Sequence, residues 1–417
     1  MRSVQIFPFL IAVLAGCGTQ QGASENKRGD SGNPSGVTVS LSNPAQDEAG
    51  GAEVLDDASI EMSELDLLLR EIRDLRSHVL PEGAAEAIEQ QRQINLQIIE
   101  IAKEIVARCG DDEFGRRLQN TALVEHFESR LQLAIDGSSD DVEQLYADVK
   151  AVSDSDSTSK SAAEGVYTLA RFAHEMARRH GKKDLRWYEN FSRWSREFAN
   201  RFPDSDQRAI ALLTGAAQSC ELQATTRSDF GQAKRLVTEA KLCYTVLSET
   251  YDQRDAATTG AAALRRLSLP GRSLTQFGGP TVNGQFLSST VFKDSVTIIF
   301  FWDTTSNEFN DKLLPLLKQA EEAAGARVRF VGVNLDQEKA TVVSYIAEKG
   351  VPGDQIFFPL ANQRSWSNPL VRFWGITHSP EVWIVDANGV VFATNVGHQQ
   401  LVARLKQVFT SRQATAE

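Results

Sequence analysis

Four cysteines, at positions 17, 109, 220 and 243, are the residues of this chain that could carry thiol chemistry. A dithiol redox site needs two cysteines in a C-x-x-C spacing, and a structural metal site needs clustered cysteine and histidine; neither pattern occurs. Cys109, Cys220 and Cys243 each lie on an apolar stripe of a predicted helix. The pattern therefore predicts that these three residues are buried free thiols.

Cys220 and Cys243 lie on two consecutive predicted helices, and their positions argue against a disulfide between them. If the helices form an antiparallel hairpin that turns near Thr226, the two cysteines are offset by about eleven residues, or ~16 Å along the helix axis. That offset is beyond the reach of a disulfide. A disulfide of Cys109 with either partner stays open, since an oxidising compartment permits it.

A second region of possible chemistry is the strand–turn–helix pattern between Val296 and Pro315. The apolar run Val296–Trp302 predicts a central strand that is covered on both faces, and a helix is predicted from Asn307 to Ala324. The turn between them has the T-x-x-E form of a capping box, in which Thr305 and Glu308 each bond the other's backbone N–H. Such a cap contributes about 1 kcal/mol, so the turn is predicted to be specified for stability.

This stretch resembles the active-site region of the TlpA-like and redoxin branch of the thioredoxin superfamily, which are thiol:disulfide oxidoreductases. In that branch a buried strand is followed by F-W-A-T-W-C-P-P-C and a helix. Phe301, Trp302 and Thr304 match this motif. The two redox cysteines of the family fall on Ser306 and Phe309. The resemblance thus implies the scaffold of the family without its redox pair.

A second family segment, of the form G-V-x-x-x-P-x-x-F-L-I-D-x-x-G, contains a cis-proline opposite the redox turn. The matching residues here are Gly375, Ile376, Pro380, Ile384, Asp386 and Gly389. Pro380 is therefore the predicted cis-proline. The resemblance covers roughly residues 269–409, about a third of the chain, and implies a thioredoxin-like α/β fold for it.

The resemblance also implies a groove in which an extended peptide is held by backbone hydrogen bonds. Trp302, Ser306, Ser379 and Pro380 border this groove; the alternative is that they serve only to fold the domain. A serine hydroxyl does not ionise near neutral pH without a base, and a Ser306–His378 pair has no acid to orient it. No catalytic residue, cofactor or metal is therefore predicted.

The chain before this domain reads as successive amphipathic helices. Apolar residues recur at steps of three and four, for example at Leu65, Leu68 and Ile72. Aromatic residues then follow at a similar spacing, at Trp187, Phe191, Trp194 and Phe198, which favours packing between helices over a ligand groove. Two helices end on an aromatic residue before a polar turn, a pattern of stacked helical hairpins similar to tetratricopeptide arrays. The alternative is a plain helical bundle.

The first residues have the features of a bacterial lipoprotein signal. Arg2 is followed by an apolar run too short to span a bilayer, and then by the lipobox Leu14-Ala15-Gly16-Cys17. Lipid modification of Cys17 and anchoring in the cell envelope are predicted; Gly18, in the place of an Asp, favours the outer membrane. The alternative is an ordinary secretory signal with a chance cysteine.

The predicted organisation is a signal peptide (1–16), a flexible tether (17–59) rich in Gly, Ser, Asn and Asp, a helical domain (60–267) and a thioredoxin-like domain (268–412). The fold class is an all-α domain followed by an α/β domain. The formal net charge of −11 argues against nucleic-acid binding.

Three functions remain for such a chain. The first is an envelope lipoprotein that binds protein or peptide clients without catalysis. The second is a thiol:disulfide oxidoreductase that uses Cys109, Cys220 or Cys243 in place of the missing pair. The third is a structural lipoprotein whose C-terminal domain only covers the helices.

Overall fold

The computed structural model describes residues 64–80, 83–110, 112–252 and 254–416. The predicted signal peptide, the lipobox cysteine Cys17 and the tether lie outside the described residues, so their predictions stay untested. Among the described residues, no helix has both the length and the apolar character needed to cross a bilayer.

The N-terminal part of the described chain is entirely helical. Its helices are α1 (Glu64–Arg76), α2 (Ala84–Arg108), α3 (Glu113–Asp136), α4 (Ser139–Ser155), α5 (Lys160–His180), α6 (Arg186–Arg201), α7 (Asp206–Thr225), α8 (Phe230–Thr250) and α9 (Asp255–Leu267). Helices α7 and α8 form the hairpin that the sequence predicts, with the turn at residues 226–229.

Ion pairs connect each of several helices with the second helix along the chain. Arg171 of α5 binds Glu128 of α3, and Arg235 of α8 binds Glu189 of α6. A further pair joins the residue that precedes α9 to α7. The partners in the three pairs are 43, 46 and 48 residues apart. Stacked helical hairpins place helix n beside helix n+2 in this way. The contacts agree with the predicted array, which stays a prediction because no repeat is established.

The C-terminal part is an α/β fold, as predicted, built on a five-stranded mixed sheet in the order β5-β4-β3-β6-β7. Strands β3, β4 and β5 are parallel, whereas β6 and β7 are antiparallel to their neighbours. The elements are β1 (Gly278–Pro280), β2 (Phe286–Ser288), β3 (Val296–Trp302), α10 (Leu314–Ala324), β4 (Val328–Asn334), α11 (Lys339–Lys349), β5 (Asp354–Ile356), α12 (Pro369–Trp374), β6 (Glu381–Val385), β7 (Val391–Ala393) and α13 (His398–Ala416).

Strand β3 lies at the centre of the sheet, and every residue of it is buried. Because side chains alternate along a strand, Phe300 and Trp302 join the apolar cluster on one face, while Ile299 and Phe301 join the cluster on the other. The prediction of a strand covered on both faces is confirmed.

The helical region and the α/β region are in direct contact, and two glycines make this possible. A Cβ at Gly375 would lie 2.4 Å from the backbone nitrogen of Ala263 in α9, and a Cβ at Gly397 would lie 1.6 Å from the carbonyl oxygen of Thr225 in α7. Only glycine fits at such distances, so the backbones of the two regions pack directly against each other.

Candidate functional site

Trp302 ends strand β3 and is completely buried. Its indole Nε1 donates to Gln355 Oε1 at 2.9 Å, and its ring stacks on Phe309 with centroids 4.8 Å apart. The prediction that Trp302 borders an open peptide groove is therefore wrong. The ring belongs to the core because the adjacent strand supplies its hydrogen-bond acceptor and the following helix supplies its stacking partner.

Phe309, on which the family resemblance places the second redox cysteine, is also completely buried. It lies in a π-helical turn, Phe309–Leu313, that follows the site turn and leads into α10. Besides its stack on Trp302, its ring is 6.1 Å from that of Phe300 at an interplanar angle of 15°. The position that would carry a resolving thiol is instead filled by a core aromatic side chain.

Ser306, on which the family resemblance places the first redox cysteine, is half-buried and caps the helix. Its Oγ accepts from the backbone N–H of Phe309 at 3.2 Å. The predicted capping box between Thr305 and Glu308 is wrong by one residue. Thr305 is held in the turn because both its N–H and its hydroxyl donate to Asp303, and the helix consequently starts after Ser306.

Asp303 connects this turn to the proline loop across the site. Its Oδ2 accepts from the Ser379 hydroxyl at 2.8 Å, a contact between residues 76 positions apart. The peptide bond between Ser379 and Pro380 is cis, as predicted. Asp303 was missed by sequence reasoning, because nothing local to the turn indicates its partner.

The two histidines near the site do not activate Ser306. The Nδ1 of His378 lies 3.3 Å from the hydroxyl of its neighbour Thr377, and its Nε2 is buried with no partner among the described residues. His398 instead contacts Glu308 Oε1 at 3.1 Å. The possible Ser306–His378 pair is not formed.

Three polar contacts on the opposite side of the turn make it rigid. The N–H and hydroxyl of Thr304 donate to Asp336, and Asn310 Nδ2 donates to the carbonyl of Thr304 at 3.1 Å. Tyr345 donates to Asn310 Oδ1 at 2.5 Å, and burial raises the pKa of Tyr345. These contacts immobilise the turn and place no nucleophile or general base beside Ser306.

Residues 294–391 match a family model described as thioredoxin-like. The C-terminal domain is therefore thioredoxin-like. This agrees with the strand order, the site turn after β3 and the cis-proline before β6. A comparison with curated proteins finds none that is similar to this chain.

Several solved structures of about a third of the chain's length are similar to it. A thioredoxin family thiol:disulfide interchange protein from Chlorobium tepidum is 21% identical over 33% of this chain and 94% of its own, with a TM-score of 0.28. The thioredoxin domain of a thiol-disulfide oxidoreductase from Bacteroides vulgatus is 18% identical over 33% of this chain and 97% of its own, with a TM-score of 0.30. A thiol-disulfide oxidoreductase from Bacteroides fragilis is 20% identical over 33% of this chain and 98% of its own, with a TM-score of 0.28.

The three described cysteines are free thiols outside the thioredoxin-like domain. Cys220 and Cys243 are completely buried, as predicted, and Cys109 is half-buried. Burial raises the pKa of all three thiols, and that of Cys243 reaches about 11. Each of them therefore forms the reactive thiolate less readily than a free cysteine does.

A buried charge network joins the thioredoxin-like domain to the helical region next to the cis-proline. Arg266 of α9 donates to Glu381 of β6 at 3.0 Å and to Glu221 of α7 at 2.6 Å, with no exposure of any of the three side chains. Tyr244 and Trp383 also donate to these carboxylates. The pKa of Arg266 is raised because the two carboxylates outweigh the effect of its burial. The network holds the first residue after the cis-proline against the helical region.

Proposed function

We propose that this protein is a lipid-anchored envelope protein whose thioredoxin-like domain binds protein or peptide clients without disulfide exchange. The observation that carries the proposal is the position of Phe309, which is completely buried and stacked on Trp302 at the site of the resolving cysteine. Ser306, at the site of the attacking cysteine, uses its hydroxyl as a helix cap. Disulfide exchange requires a thiolate that attacks and a second thiol that resolves, and the turn offers neither.

The rival function, an oxidoreductase that uses the helical cysteines, is disfavoured by their surroundings. Reactive cysteines are partly exposed and have depressed pKa values. The pKa values of Cys109, Cys220 and Cys243 are all raised by burial. A client disulfide would also have to reach Cys220 or Cys243 through the packed helices, since neither side chain is exposed.

The loop before the cis-proline is the best candidate for the client site. Within the described part of the chain, the backbone N–H groups of His378 and Ser379 form no hydrogen bond. Ser379 and Pro380 are half-buried, and so is Ser306 in the site turn, which the hydrogen bond from Ser379 to Asp303 connects to this loop. An extended peptide can pair with such free backbone groups in the manner of an added strand, with adjacent side chains providing selectivity. Trp302 is not part of this candidate groove, because its side chain is completely buried.

The lipid anchor and the envelope location depend on the lipobox at Cys17 alone. Two acyl signals give stable attachment, and the tether from Gly18 to about Ser59 would hold the folded part away from the membrane. A protein with this arrangement meets periplasmic or surface clients, whereas its acidic charge makes nucleic acid an unsuitable partner.

The absence of disulfide exchange is tested by reduction of insulin disulfides with the full chain and dithiothreitol. We expect turnover equal to the dithiothreitol background. Turnover well above background, lost on replacement of one helical cysteine by serine, would establish the rival oxidoreductase. The S306C/F309C variant is the positive comparison, because gained activity would show that the backbone geometry of the site survives.

Client binding is tested separately by hydrogen exchange of the full chain with a permanently unfolded, carboxymethylated model protein. We expect slower exchange in the peptide that contains His378 and Ser379, with exchange of the α3 peptide unchanged as the internal control. Unchanged exchange at the loop would reject the groove and favour the structural reading, in which the domain only covers the helices.

A further inference from the structure

A cleft of about 450 Å³ lies at the junction of the helical region and the thioredoxin-like domain. One wall is the C-terminal end of α9, and the other is the segment that follows it, up to Gln276. Leu264, Leu269 and Trp374 form its apolar part. The volume is within the range of small-molecule sites, which often occur at domain junctions.

Two arginines line this cleft without a carboxylate among its lining residues. Arg265 is oriented by two contacts with Phe373, a hydrogen bond of 2.5 Å to its carbonyl oxygen and a ring centroid 4.2 Å away. Arg272 is exposed, and its guanidinium forms no ion pair among the described residues. Two guanidinium groups that face the same space repel each other unless an anion lies between them.

A third cation, Lys241 of α8, is not among the residues that line the cleft, but the positive charge of Arg272 acts on it. The pKa of Lys241 is lowered by burial and further by the positive charge of Arg272, and no carboxylate counteracts this. The molecule carries a formal net charge of −11, so a local group of three cations without acidic partners departs from its overall surface. Such a group costs folding free energy and is compensated when an anion binds.

The remaining polar groups of the cleft are mostly hydrogen-bond donors. Ser268, Ser273 and Thr275 contribute hydroxyl groups. Trp374 is only 4% exposed, and its indole Nε1 has no acceptor among the described residues. A ligand that supplies acceptor oxygens and a flat apolar body matches both the donors and the apolar wall.

We propose that this cleft binds a small organic anion, a carboxylate or phosphate monoester on an apolar body, with Arg272 and Arg265, the two cations that line it, as its main charge partners. Arginine is suited to this because its planar guanidinium donates two parallel hydrogen bonds to a carboxylate or phosphate. Arg265 is already fixed against Phe373, so little of its conformational freedom is lost when an anion binds. This site is independent of the client groove proposed above.

The test is calorimetric titration of the full chain in low-salt buffer with benzoate and with phenyl phosphate, and with benzyl alcohol as the uncharged match. We expect saturable binding of at least one anion and none of benzyl alcohol. A hydrogen bond to a charged group contributes enough free energy to change the affinity about tenfold. R272Q and R265Q should therefore each weaken anion binding by about that factor. Binding of one anion only would identify the preferred head group.

The control is R70Q, which removes the same charge from an exposed position on α1 and should leave the affinity unchanged. Far-ultraviolet circular dichroism of each variant establishes that it is folded. The proposal is overturned if neither anion binds the wild-type chain at millimolar concentration. It is equally overturned if R272Q, R265Q and R70Q all bind the anions with the affinity of the wild type.

Discussion

Replacement of Phe309 by alanine is expected to destabilise the protein strongly, because this side chain fills the core next to the site turn. Phe309 is completely buried, and its ring is 4.8 Å from Trp302 and 6.1 Å from Phe300. Burial of such a side chain contributes about 1.5–3 kcal/mol, and aromatic pairs contribute about 0.5–1.5 kcal/mol beyond it. With the cavity that remains, F309A should reduce the free energy of unfolding by about 4 kcal/mol.

The assay is equilibrium urea denaturation of the full chain, followed by circular dichroism, with the slope m compared between variants. F286A is the matched control: Phe286 is 74% exposed, so its loss should change the free energy of unfolding by less than about 0.5 kcal/mol. This expectation is refuted if the free energy of unfolding of F309A is within about 1 kcal/mol of the wild-type value at equal m. A difference of that size is what a single helix cap contributes, and the stacked aromatic rings would then not be what holds the turn.

Three further outcomes follow from the buried charges and thiols. R266M should lower the free energy of unfolding by about 3–5 kcal/mol in the same denaturation assay, since two buried carboxylates lose their partner. The control R329Q removes an exposed ion pair and should change the free energy of unfolding by about 0–1 kcal/mol. Iodoacetamide at pH 8, read by mass spectrometry, should label Cys109 in the folded protein and Cys243 only after unfolding. Burial raises the pKa of Cys243 to about 11. The contribution of the Cys243 thiol to stability is therefore present below about pH 8.5 and is lost as the pH rises toward 11. Burial would raise the pKa of Asp148, but hydrogen bonds from a histidine, a glutamine and an arginine lower it well below its usual range. The free energy of unfolding should therefore fall in acid below about pH 4. D148N should flatten that part of the pH–stability curve.

The secondary structure of the C-terminal domain was predictable because its signals are local. The apolar run from Val296 to Trp302 is strand β3 with the predicted ends, and the Asn388-Gly389 turn separates β6 from β7. The cis peptide bond at Pro380 was also predictable, from its place in a family motif. In each case the determining residues are neighbours in the chain.

The environment of the site was less predictable. Trp302 was expected at a groove and is in the core, since its exposure depends on Gln355 and Phe309, which reach it from other elements. The capping box failed because Asp303 competes for Thr305. A motif fixes residue types at given spacings but carries no information on which competing acceptor is nearest.

By itself, the sequence determined that positions 306 and 309 carry no thiol, and hence that these two side chains cannot form a redox disulfide with each other. Only the tertiary structure decided what those positions do instead, and that the helical region holds the domain through Arg266 and Glu381. The reason is physical. Composition and periodicity report interactions within a few residues, whereas the core stack, the bond from Ser379 to Asp303 and the buried charges join segments that meet only after folding.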